Sequence, residues 1–283
     1  MVTAALAGGA LLRRSSRAPR PLKIGLAPSF RLAVIRDELR PFLAHLEQRL
    51  GRRLEPVVDR SYEDQRQQLR RGGLDLAVLH HMQVVFLRQA SSTPTIVAAM
   101  SYRGSTTYRS VLVVRDNAGI GRVEQLAGRR ICWVNRGSAS GYLVPRLFLR
   151  KKGLDPDTAF EQVRFTGDHY TALKDLISGL CDAAATTAGW LELGPKRGLA
   201  TSRVRILATT GRIPLDYVCA SSKLPDRLVR RVRRALLEFK PQRDIGRRII
   251  GPSFLADGFA MPRSRDLETI IRAMRLEGIA PSQ

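Results

Sequence analysis

A short segment rich in glycine and serine has the composition of an anion-binding turn. Residues 136–141 read RGSASG and lie between a run typical of a buried strand and a run typical of a helix. The first N–H groups of a helix have no acceptor within the helix and lie at the positive end of its dipole, so an anion is stabilised there. Ser138 and Ser140 add hydroxyl donors, and Gly137 and Gly141 permit close approach of the backbone. A serine in this place is more often only a helix cap.

Four other polar side chains occur where strands are expected to begin or end. His169 lies at a second strand-to-helix junction, where side chains at the carboxyl end of a parallel strand face a crevice. Tyr62 and Tyr108 can each donate a phenolic hydrogen bond to an oxyanion. Asp216 follows an Ile-Pro turn and, as a carboxylate, can only accept, so it would select a ligand that carries a proton. Taken singly, each side chain also fits a cap, a packed ring or a surface turn.

His80 and His81 are the other candidates for chemistry. They adjoin the end of a predicted strand, but adjacent histidines point to opposite sides and no acidic residue nearby completes a metal site. The sequence also contains no G-x-S-x-G elbow, no phosphate-binding P-loop, no G-x-G-x-x-G fingerprint and no H-E-x-x-H motif. We therefore expect no metal, no cofactor and no catalytic residues, and thus a binding protein and not an enzyme.

The segments around these residues alternate between strands and helices, which predicts parallel βαβ units. The predicted strands cover residues 22–27, 54–58, 74–79, 95–100, 110–114, 130–134, 162–165, 182–185, 204–208 and 217–220. The predicted helices cover residues 32–50, 62–71, 123–126, 141–152, 170–180, 225–239 and 265–275. The sequence thus predicts an α/β fold in which the candidate residues lie at the ends of strands.

The length of 283 residues favours two lobes, because single hydrophobic cores rarely grow beyond roughly 250–300 residues. The net charge is +23, from 48 Lys and Arg against 25 Asp and Glu, which raises nucleic acid or another acidic surface as a partner. The basic residues come as scattered pairs and not as one stripe interleaved with aromatic residues. An arginine-rich solvated surface is therefore the favoured interpretation, and nucleic-acid binding is the minor alternative.

The sequence also bears on the compartment of the protein. Cys132, Cys181 and Cys219 lie inside apolar runs without metal-ligand spacing, so we expect buried free thiols. No run reaches the roughly 18 apolar residues that a membrane-spanning helix needs. Residues 1–12 have the length and the small residues of the apolar part of an export signal, but a basic segment before them is missing. An export signal and a misplaced start of the chain both remain open.

Several longer segments resemble one protein family, the phosphate, phosphite and phosphonate substrate-binding proteins of ABC importers. The likeness covers residues 22–270 and is carried by SYEDQRQQLRRGGLDLAVL, TTYRSVLVVRDNAGI, the block from GSASGYLVP to TGDHYTAL, and RIPLDYVCASSKLP. The block from SGYLVP to TGDHYTAL is its most specific part. The resemblance implies the two-lobed type 2 periplasmic-binding-protein fold, in which each lobe is a mostly parallel sheet flanked by helices.

The resemblance also implies which residues contact the ligand. In this family a Ser-Thr-Ser turn, a histidine, tyrosines from both lobes and an aspartate hold the oxygens of the ligand. The matching residues are Ser138, Ala139 and Ser140 with the adjoining Gly141, then His169, Tyr62, Tyr108 and Asp216.

Three positions depart from the family pattern. Ala139 lacks the hydroxyl of the middle residue of the turn, which removes one donor and changes affinity or preference. His80 and His81 stand where relatives carry a Gly-Pro loop, which implies a bulkier wall of the pocket. Thr210 and Gly211 replace a Ser-Pro pair, which implies a different phosphorus compound or a sensing role.

The implied architecture places residues 22–107 and 211–283 in one lobe and residues 108–210 in the other, with extended crossovers near Tyr108 and Ala208. Residues 1–21 would form a leader or a disordered segment. The implied function is capture of phosphate, phosphite or a phosphonate by a periplasmic monomer, for delivery to an ABC transporter permease. A ligand-sensing role in a signalling system is the alternative that the same fold allows.

Overall fold

The computed structural model describes residues 19–26, 33, 35–88, 94–250 and 256–279, and the statements below concern these residues. The strands are β1 (Leu22–Leu26), β2 (Leu54–Val58), β3 (Leu76–Leu79), β4 (Thr95–Ser101), β5 (Thr107–Arg115), β6 (Arg130–Trp133), β7 (Gln162–Phe165), β8 (Ala183–Thr187), β9 (Val204–Pro214), β10 (Tyr217–Ala220) and β11 (Gly258–Ala260). The helices are α1 (Arg40–Leu50), α2 (Tyr62–Arg71), α3 (His81–Arg88), α4 (Val144–Lys151), α5 (His169–Ser178), α6 (Gly189–Leu193), α7 (Asp226–Leu237), α8 (Pro241–Ile245) and α9 (Glu268–Leu276). The predicted export signal at residues 1–12 lies outside the described residues.

Single turns of other helix types adjoin several of these elements. A π-helical turn at Ile35–Leu39 precedes α1, and another at Ala139–Leu143 precedes α4. The predicted helix at residues 123–126 is a 3₁₀ turn, and α9 likewise begins with a 3₁₀ turn at Ser264–Leu267. The starts of α1, α4 and α9 are therefore wider or tighter than the regular α-helix that periodicity predicts.

The first sheet has six strands in the order β11-β4-β10-β3-β1-β2. β1 pairs in parallel with both β2 and β3, while β10 is antiparallel to β3 and β4, and β11 is antiparallel to β4. Every residue of β3 is buried, as expected for a strand covered on both faces. Because β1, β2 and β3 run in the same direction, Tyr62 and His80, which follow β2 and β3, lie at one edge of this sheet.

The second sheet has five strands in the order β7-β6-β8-β5-β9. β6 is parallel to β7 and β8, and β5 is antiparallel to β8 and β9. The turns that follow β6 and β7 lead to Ser138 and His169, so these residues also share one edge of a sheet. Two sheets flanked by helices confirm the predicted two-lobed α/β class, but each sheet mixes two parallel pairs with antiparallel ones and is not mostly parallel as expected.

Within the described residues, the chain crosses between the two sheets at residues 102–106 and 215–216. β5 and β9 pair along their whole length, from Thr107 opposite Pro214 to Arg115 opposite Val204. The Leu215 N–H donates to the carbonyl of residue 106 at 2.8 Å, so the two crossovers lie side by side. β9 keeps residues 211–214 in the second sheet, and the division into lobes at 107/108 and 210/211 stays a prediction.

The helix α9 lies between the two sheets and contacts both sides. It packs against α3 of the first lobe and against α4 of the second. Glu277, just after α9, accepts a hydrogen bond from the Arg146 Nε at 2.9 Å, and Arg150 forms a second ion pair with the same carboxylate. The last helix of the chain therefore ties the lobes together on the side where these helices meet.

Two further sequence predictions can be compared with the structure. Cys132, Cys181 and Cys219 are free thiols and are buried. No helix in the described part of the chain combines the length and the apolar character needed to cross a bilayer.

Candidate anion-binding site

The turn between β6 and α4 is shaped by Ser138 and Gly141. Ser138 caps the first helical turn, since its Oγ accepts a hydrogen bond from the Gly141 N–H at 3.0 Å. A β-carbon at Gly141 would lie 2.3 Å from the Val134 side chain, so only glycine lets the turn pack this closely on the end of β6. Both residues thus have structural roles, and their contact with a ligand stays a prediction.

The N–H groups of Ala139 and Ser140 are the donors left at the start of this helical segment. Neither has an acceptor among the described residues, and the segment that they begin continues to Lys151. Both residues are buried, at 5% and 3% exposure. The Ser110 Oγ donates to the Ser140 carbonyl at 3.0 Å, which fixes the turn to β5. The turn therefore offers two backbone donors at the positive end of a helix.

Two residues at the crossovers lie near this turn, namely Tyr108 at the start of β5 and Asp216 between β9 and β10. The Tyr108 hydroxyl is hydrogen-bonded to the Ser140 side chain and lies close enough to Asp216 to feel its charge. Each residue keeps part of its surface accessible, yet the hydroxyl and the carboxyl lie deep in the protein. Burial, and secondly the Asp216 charge, raise the pKa of Tyr108 above its usual value, so Tyr108 remains an O–H donor. Burial raises the pKa of Asp216 to about 6.

His169 is the first residue of α5 and lies at the same edge as the turn. The Asp168 side chain caps α5, and the His169 Nδ1 lies 3.0 Å from the Thr186 Oγ1 on β8. Burial lowers the pKa of His169 to about 4, so the ring is neutral at pH 7. If Nδ1 accepts from the Thr186 hydroxyl, the Nε2–H is a donor for a ligand. The turns after β6 and β7 are joined directly, because the Asn135 Nδ2 donates to the carbonyl of residue 167 at 3.2 Å.

Four aromatic rings form a continuous row between the first lobe and the crossovers. The ring centroids of Tyr62 and His80 are 4.7 Å apart, those of His80 and His81 are 5.6 Å apart, and those of His81 and Tyr108 are 6.4 Å apart. We call these four residues the ring row. It connects Tyr62, at the start of α2, to the group formed by Tyr108, Ser140 and Asp216. The pocket wall expected at His80 and His81 is therefore built into the edge of the candidate site.

The structure thus links the predicted residues to one another by three kinds of contact. Tyr108 is hydrogen-bonded to Ser140 and lies near Asp216, Tyr62 is linked to Tyr108 through the ring row, and His169 is linked through the neighbouring turn. Sequence reasoning did not find Ser110, whose Oγ supports the Ser140 carbonyl, or Thr186, which orients His169. It singled out Thr210 only as a departure from the family pattern, whereas the structure places its hydroxyl 2.7 Å from that of Ser110. The available signal was a hydroxyl residue within a largely apolar strand.

Other parts of the described chain offer weaker candidates. Among the described residues, no group of three His, Cys, Asp or Glu side chains lies close enough together to hold a metal ion. An open cavity of about 420 Å³ lies beside α2, and another of about 520 Å³ lies between α1 and α8. In the second cavity Arg49 is paired with Glu238 and Arg243 with Asp244. Neither cavity is lined from both lobes, so the residues around Ser140 remain the best candidate.

Comparisons with known proteins show the family of the chain and its fold. A model of the family described as "ABC transporter, phosphonate, periplasmic substrate-binding protein" matches residues 24–267. The phosphate-import protein PhnD of Mycolicibacterium smegmatis is 25% identical to the chain over 175 residues, which are 58% of this chain and 54% of that protein. The chain therefore spans about half the length of the curated relative that it matches. The family match confirms the resemblance found in the sequence.

Solved structures share the fold at low sequence identity. PhnD1 from Prochlorococcus marinus in complex with methylphosphonate has a TM-score of 0.68 at 20% identity and covers 92% of this chain and 99% of that one. A Xanthomonas citri protein bound to ATP has a TM-score of 0.67 at 20% identity, with 92% and 96% covered. A binding-protein component of an ABC phosphonate transporter from Pseudomonas aeruginosa has a TM-score of 0.67 at 17% identity, with 92% and 87% covered. These similarities establish the shared two-lobed architecture.

Proposed function

Because the chain belongs to the family of periplasmic, phosphonate-type substrate-binding proteins of ABC transporters, we propose that it captures a small phosphorus oxyanion between its two lobes and delivers it to an ABC importer. The observation that carries this proposal is that the buried Tyr108 hydroxyl is hydrogen-bonded to Ser140 at the start of a helix and lies near the Asp216 carboxyl. Donors and one acceptor converge there from the second lobe and from the crossovers. That combination suits an anion which still carries a proton.

Capture uses hydrogen bonds to the charged oxygens. The N–H groups of Ala139 and Ser140 bind one oxygen at the helix start, and the Ser140 and Tyr108 hydroxyls contribute from the same side. His169, kept neutral by burial, donates from the neighbouring turn. Hydrogen bonds to a charged acceptor are short and about twice as strong as neutral ones, so a few of them hold a small ion.

Asp216 supplies the selectivity of the proposed site. A carboxylate accepts a hydrogen bond from a P–OH group, whereas sulfate carries no proton at pH 7 and would face it with bare oxygens. The loss of a hydrogen-bond partner in a buried site costs more than a contact gains, so sulfate is rejected. The pKa of about 6 keeps Asp216 mostly ionised at pH 7.

The relatives support a phosphorus oxyanion as the ligand. The mycobacterial relative is a phosphate-import protein, and the cyanobacterial structure contains methylphosphonate. Phosphate and methylphosphonate share a tetrahedral phosphorus centre and at least two charged or acidic oxygens. We therefore propose phosphate, phosphite or a small phosphonate as the ligand, bound by a monomer outside the cytoplasm, with an ABC permease as the partner.

Lobe movement follows from the two crossovers. Residues 102–106 and 215–216 join the sheets side by side, so rotation about them changes the distance between His80 and His81, in the first lobe, and the Ser140 turn. Closure about such a hinge would enclose the ligand and present the closed form to the permease.

Part of the large positive charge serves the fold itself, since Arg231 donates to the Leu50 carbonyl and Arg233 to the Val97 carbonyl. This supports an arginine-rich surface over a nucleic-acid-binding one.

A thermal-unfolding screen tests the proposal. Phosphate, phosphite, methylphosphonate, 2-aminoethylphosphonate and sulfate are each added to the purified chain at the same concentration. A ligand at about 100 times its dissociation constant adds about 2.7 kcal/mol to the free energy of unfolding, which raises the melting temperature by several degrees. At least one phosphorus compound should produce this shift and sulfate should not. Equal melting temperatures with all five anions would contradict the proposal.

A further inference from the structure

Two members of the ring row, His80 and His81, lie at the edge of the candidate site and are not among its proposed ligand-contacting residues. His80 and His81 follow β3, the strand that lies beside β1 and β10 in the first sheet, and they stand between Tyr62 and Tyr108. The neighbouring centroids are 4.7–6.4 Å apart, which is the usual range for rings in contact. No further ring can enter between members of the row without displacing one of them.

His80 is held in place from behind. Its Nε2 lies 3.4 Å from the Gln83 Nε2, and Arg66 donates a hydrogen bond to the Gln83 Oε1. Since the Gln83 oxygen is used by Arg66, the Gln83 amide N–H must donate to His80, and the proton of a neutral His80 is then on Nδ1. Arg66 is itself fixed by an ion pair with Glu63 and lies 4.8 Å from the centre of the Phe86 ring. The His80 ring is therefore oriented by Gln83, which is itself held by Arg66.

His81 is more deeply buried. It is 7% exposed, its Nδ1 is fully buried without a hydrogen-bond partner, and its ring faces the carbonyl of Pro214 at the end of β9. Pro214 is two residues from Asp216, so His81 packs against the crossover that carries this carboxylate. Burial lowers the pKa of His80 to about 4 and that of His81 to about 3, so both rings are uncharged at pH 7. His80 and His81 thus form an uncharged wall beside a site that otherwise consists of donors and one acceptor.

We infer that His80 and His81 set the size of the substituent that the bound phosphorus atom can carry. A bare oxyanion, or one with a methyl-sized substituent, fits beside the ring row, and an aryl or nucleoside-sized substituent does not. Because the wall is uncharged, it excludes by volume and not by attraction or repulsion. This inference rests on the proposed function, since it concerns the ligand of the same site.

Two probes of different size test the inference. Isothermal titration calorimetry measures the dissociation constants of methylphosphonate and phenylphosphonate for the wild type. Methylphosphonate should bind about 100 times more tightly or better, since even one surplus methylene in a closed pocket costs about 10-fold or more. His80→Ala should reduce this ratio at least about tenfold by opening the wall. His80→Phe keeps a ring in place but has no ring nitrogens, so it should keep the wild-type ratio if the volume of the ring, and not its hydrogen bonding, limits the substituent.

His45→Ala is the matched control. His45 is a half-buried histidine whose ring packs on Phe239 at 5.2 Å, but it lies on α1, facing α8 and away from the ring row. This variant should keep the wild-type ratio of the two dissociation constants. Thermal unfolding of each variant without ligand verifies that it is folded before its ratio is compared.

The possible outcomes separate the inference from the function on which it rests. If the wild type binds phenylphosphonate as tightly as methylphosphonate, the inference is wrong, whatever the variants do. If the wild type prefers methylphosphonate and His80→Ala leaves the ratio unchanged, the ring row does not set the size limit and the proposed function stands. If the wild type binds neither these probes nor phosphate, the proposed function is wrong and the inference fails with it.

Discussion

The two halves of the candidate site are built from different parts of the chain. The amide half, the turn around Ala139 and Ser140, offers backbone N–H groups whose directions are set by a helix start. The side-chain half, formed by the ring row and Asp216, offers rings and a carboxylate at strand ends and crossovers. Backbone donors bind any oxyanion in the same way, whereas rings and a carboxylate discriminate by size and by the presence of a proton. We therefore expect affinity to depend mainly on the amide half and selectivity on the side-chain half.

The largest expected effect comes from Asp216 and does not need a ligand. Burial raises the folded-state pKa of this carboxyl from 3.8 to about 6. A group of this kind binds its proton more tightly in the folded state, so its contribution to stability is complete below pH 3.8 and is lost as the pH rises through 6. Relative to Asp216→Asn, the wild type should therefore lose up to about 3 kcal/mol of unfolding free energy between pH 4 and pH 7. Urea unfolding at several pH values measures this difference.

Asp226→Asn is the control for this experiment, because Asp226 is exposed at the start of α7. Its unfolding free energy should follow that of the wild type across the pH range. If Asp216→Asn also runs parallel to the wild type, the carboxyl is not buried in solution, and the side-chain half would lose its proton-selective member.

Removing one side-chain donor in or beside the amide half should weaken binding strongly. Ser140→Ala deletes the hydroxyl that contacts Tyr108, and His169→Ala deletes the donor of the adjoining turn. A hydrogen bond to a charged group contributes about 1.5–3 kcal/mol, so each variant should bind methylphosphonate about 10- to 100-fold more weakly in calorimetry. Ser178→Ala, at the other end of α5, serves as the control and should bind as the wild type does. Unchanged affinity in both test variants would remove these residues from the site.

The packing of the amide half can be tested by stability alone. Gly141→Ala places a β-carbon against Val134, and overpacking of this kind costs about 1–3 kcal/mol of unfolding free energy. Gly137→Ala, in the same turn, meets only the Asn135 side-chain oxygen at 3.5 Å and should be nearly neutral. Chemical unfolding of both variants gives the comparison. Equal stabilities would mean that the turn is not fixed on β6, and the amide half would not be preorganised.

The smallest expected effect is a gain in affinity. Ala139→Ser restores a hydroxyl at the buried middle position of the turn, next to the backbone donor of Ser140. A new neutral hydrogen bond contributes about 0.5–1.5 kcal/mol, so methylphosphonate should bind about two- to tenfold more tightly. Competition calorimetry resolves a change of this size. A loss of affinity would mean that the side chain of residue 139 contacts other protein atoms and not the ligand.

The sequence predicted the fold well wherever a strand or helix is long and regular. The βαβ alternation located β1 to β3 and β6 to β8 within a few residues, because their apolar runs are bounded by turn residues. It missed β11, which has three residues, and α3, whose run HMQVVFLR has no clear period. Short elements of this kind are fixed by tertiary contacts, which local patterns do not contain.

The candidate site was predicted less completely than the fold. The turn around Ser140 and the positions of Tyr62, Tyr108, His169 and Asp216 followed from strand ends and from the family resemblance. The supporting hydroxyls of Ser110, Thr186 and Thr210 depend on the register between strands, which one sequence does not reveal. The ring row depends on the distance between the lobes, and the raised pKa of Asp216 depends on burial that only the folded chain creates.

One measurement tests the central claim most directly, namely that Asp216 and the Ser140 turn together hold an oxyanion that carries a proton. Isothermal titration calorimetry at pH 7 compares phosphate with sulfate, two tetrahedral anions of similar size that differ in their proton. Phosphate should bind at least about 100 times more tightly, because sulfate leaves a buried acceptor facing bare oxygens. Sulfate binding as tightly as phosphate, or no binding of either anion, would contradict this account.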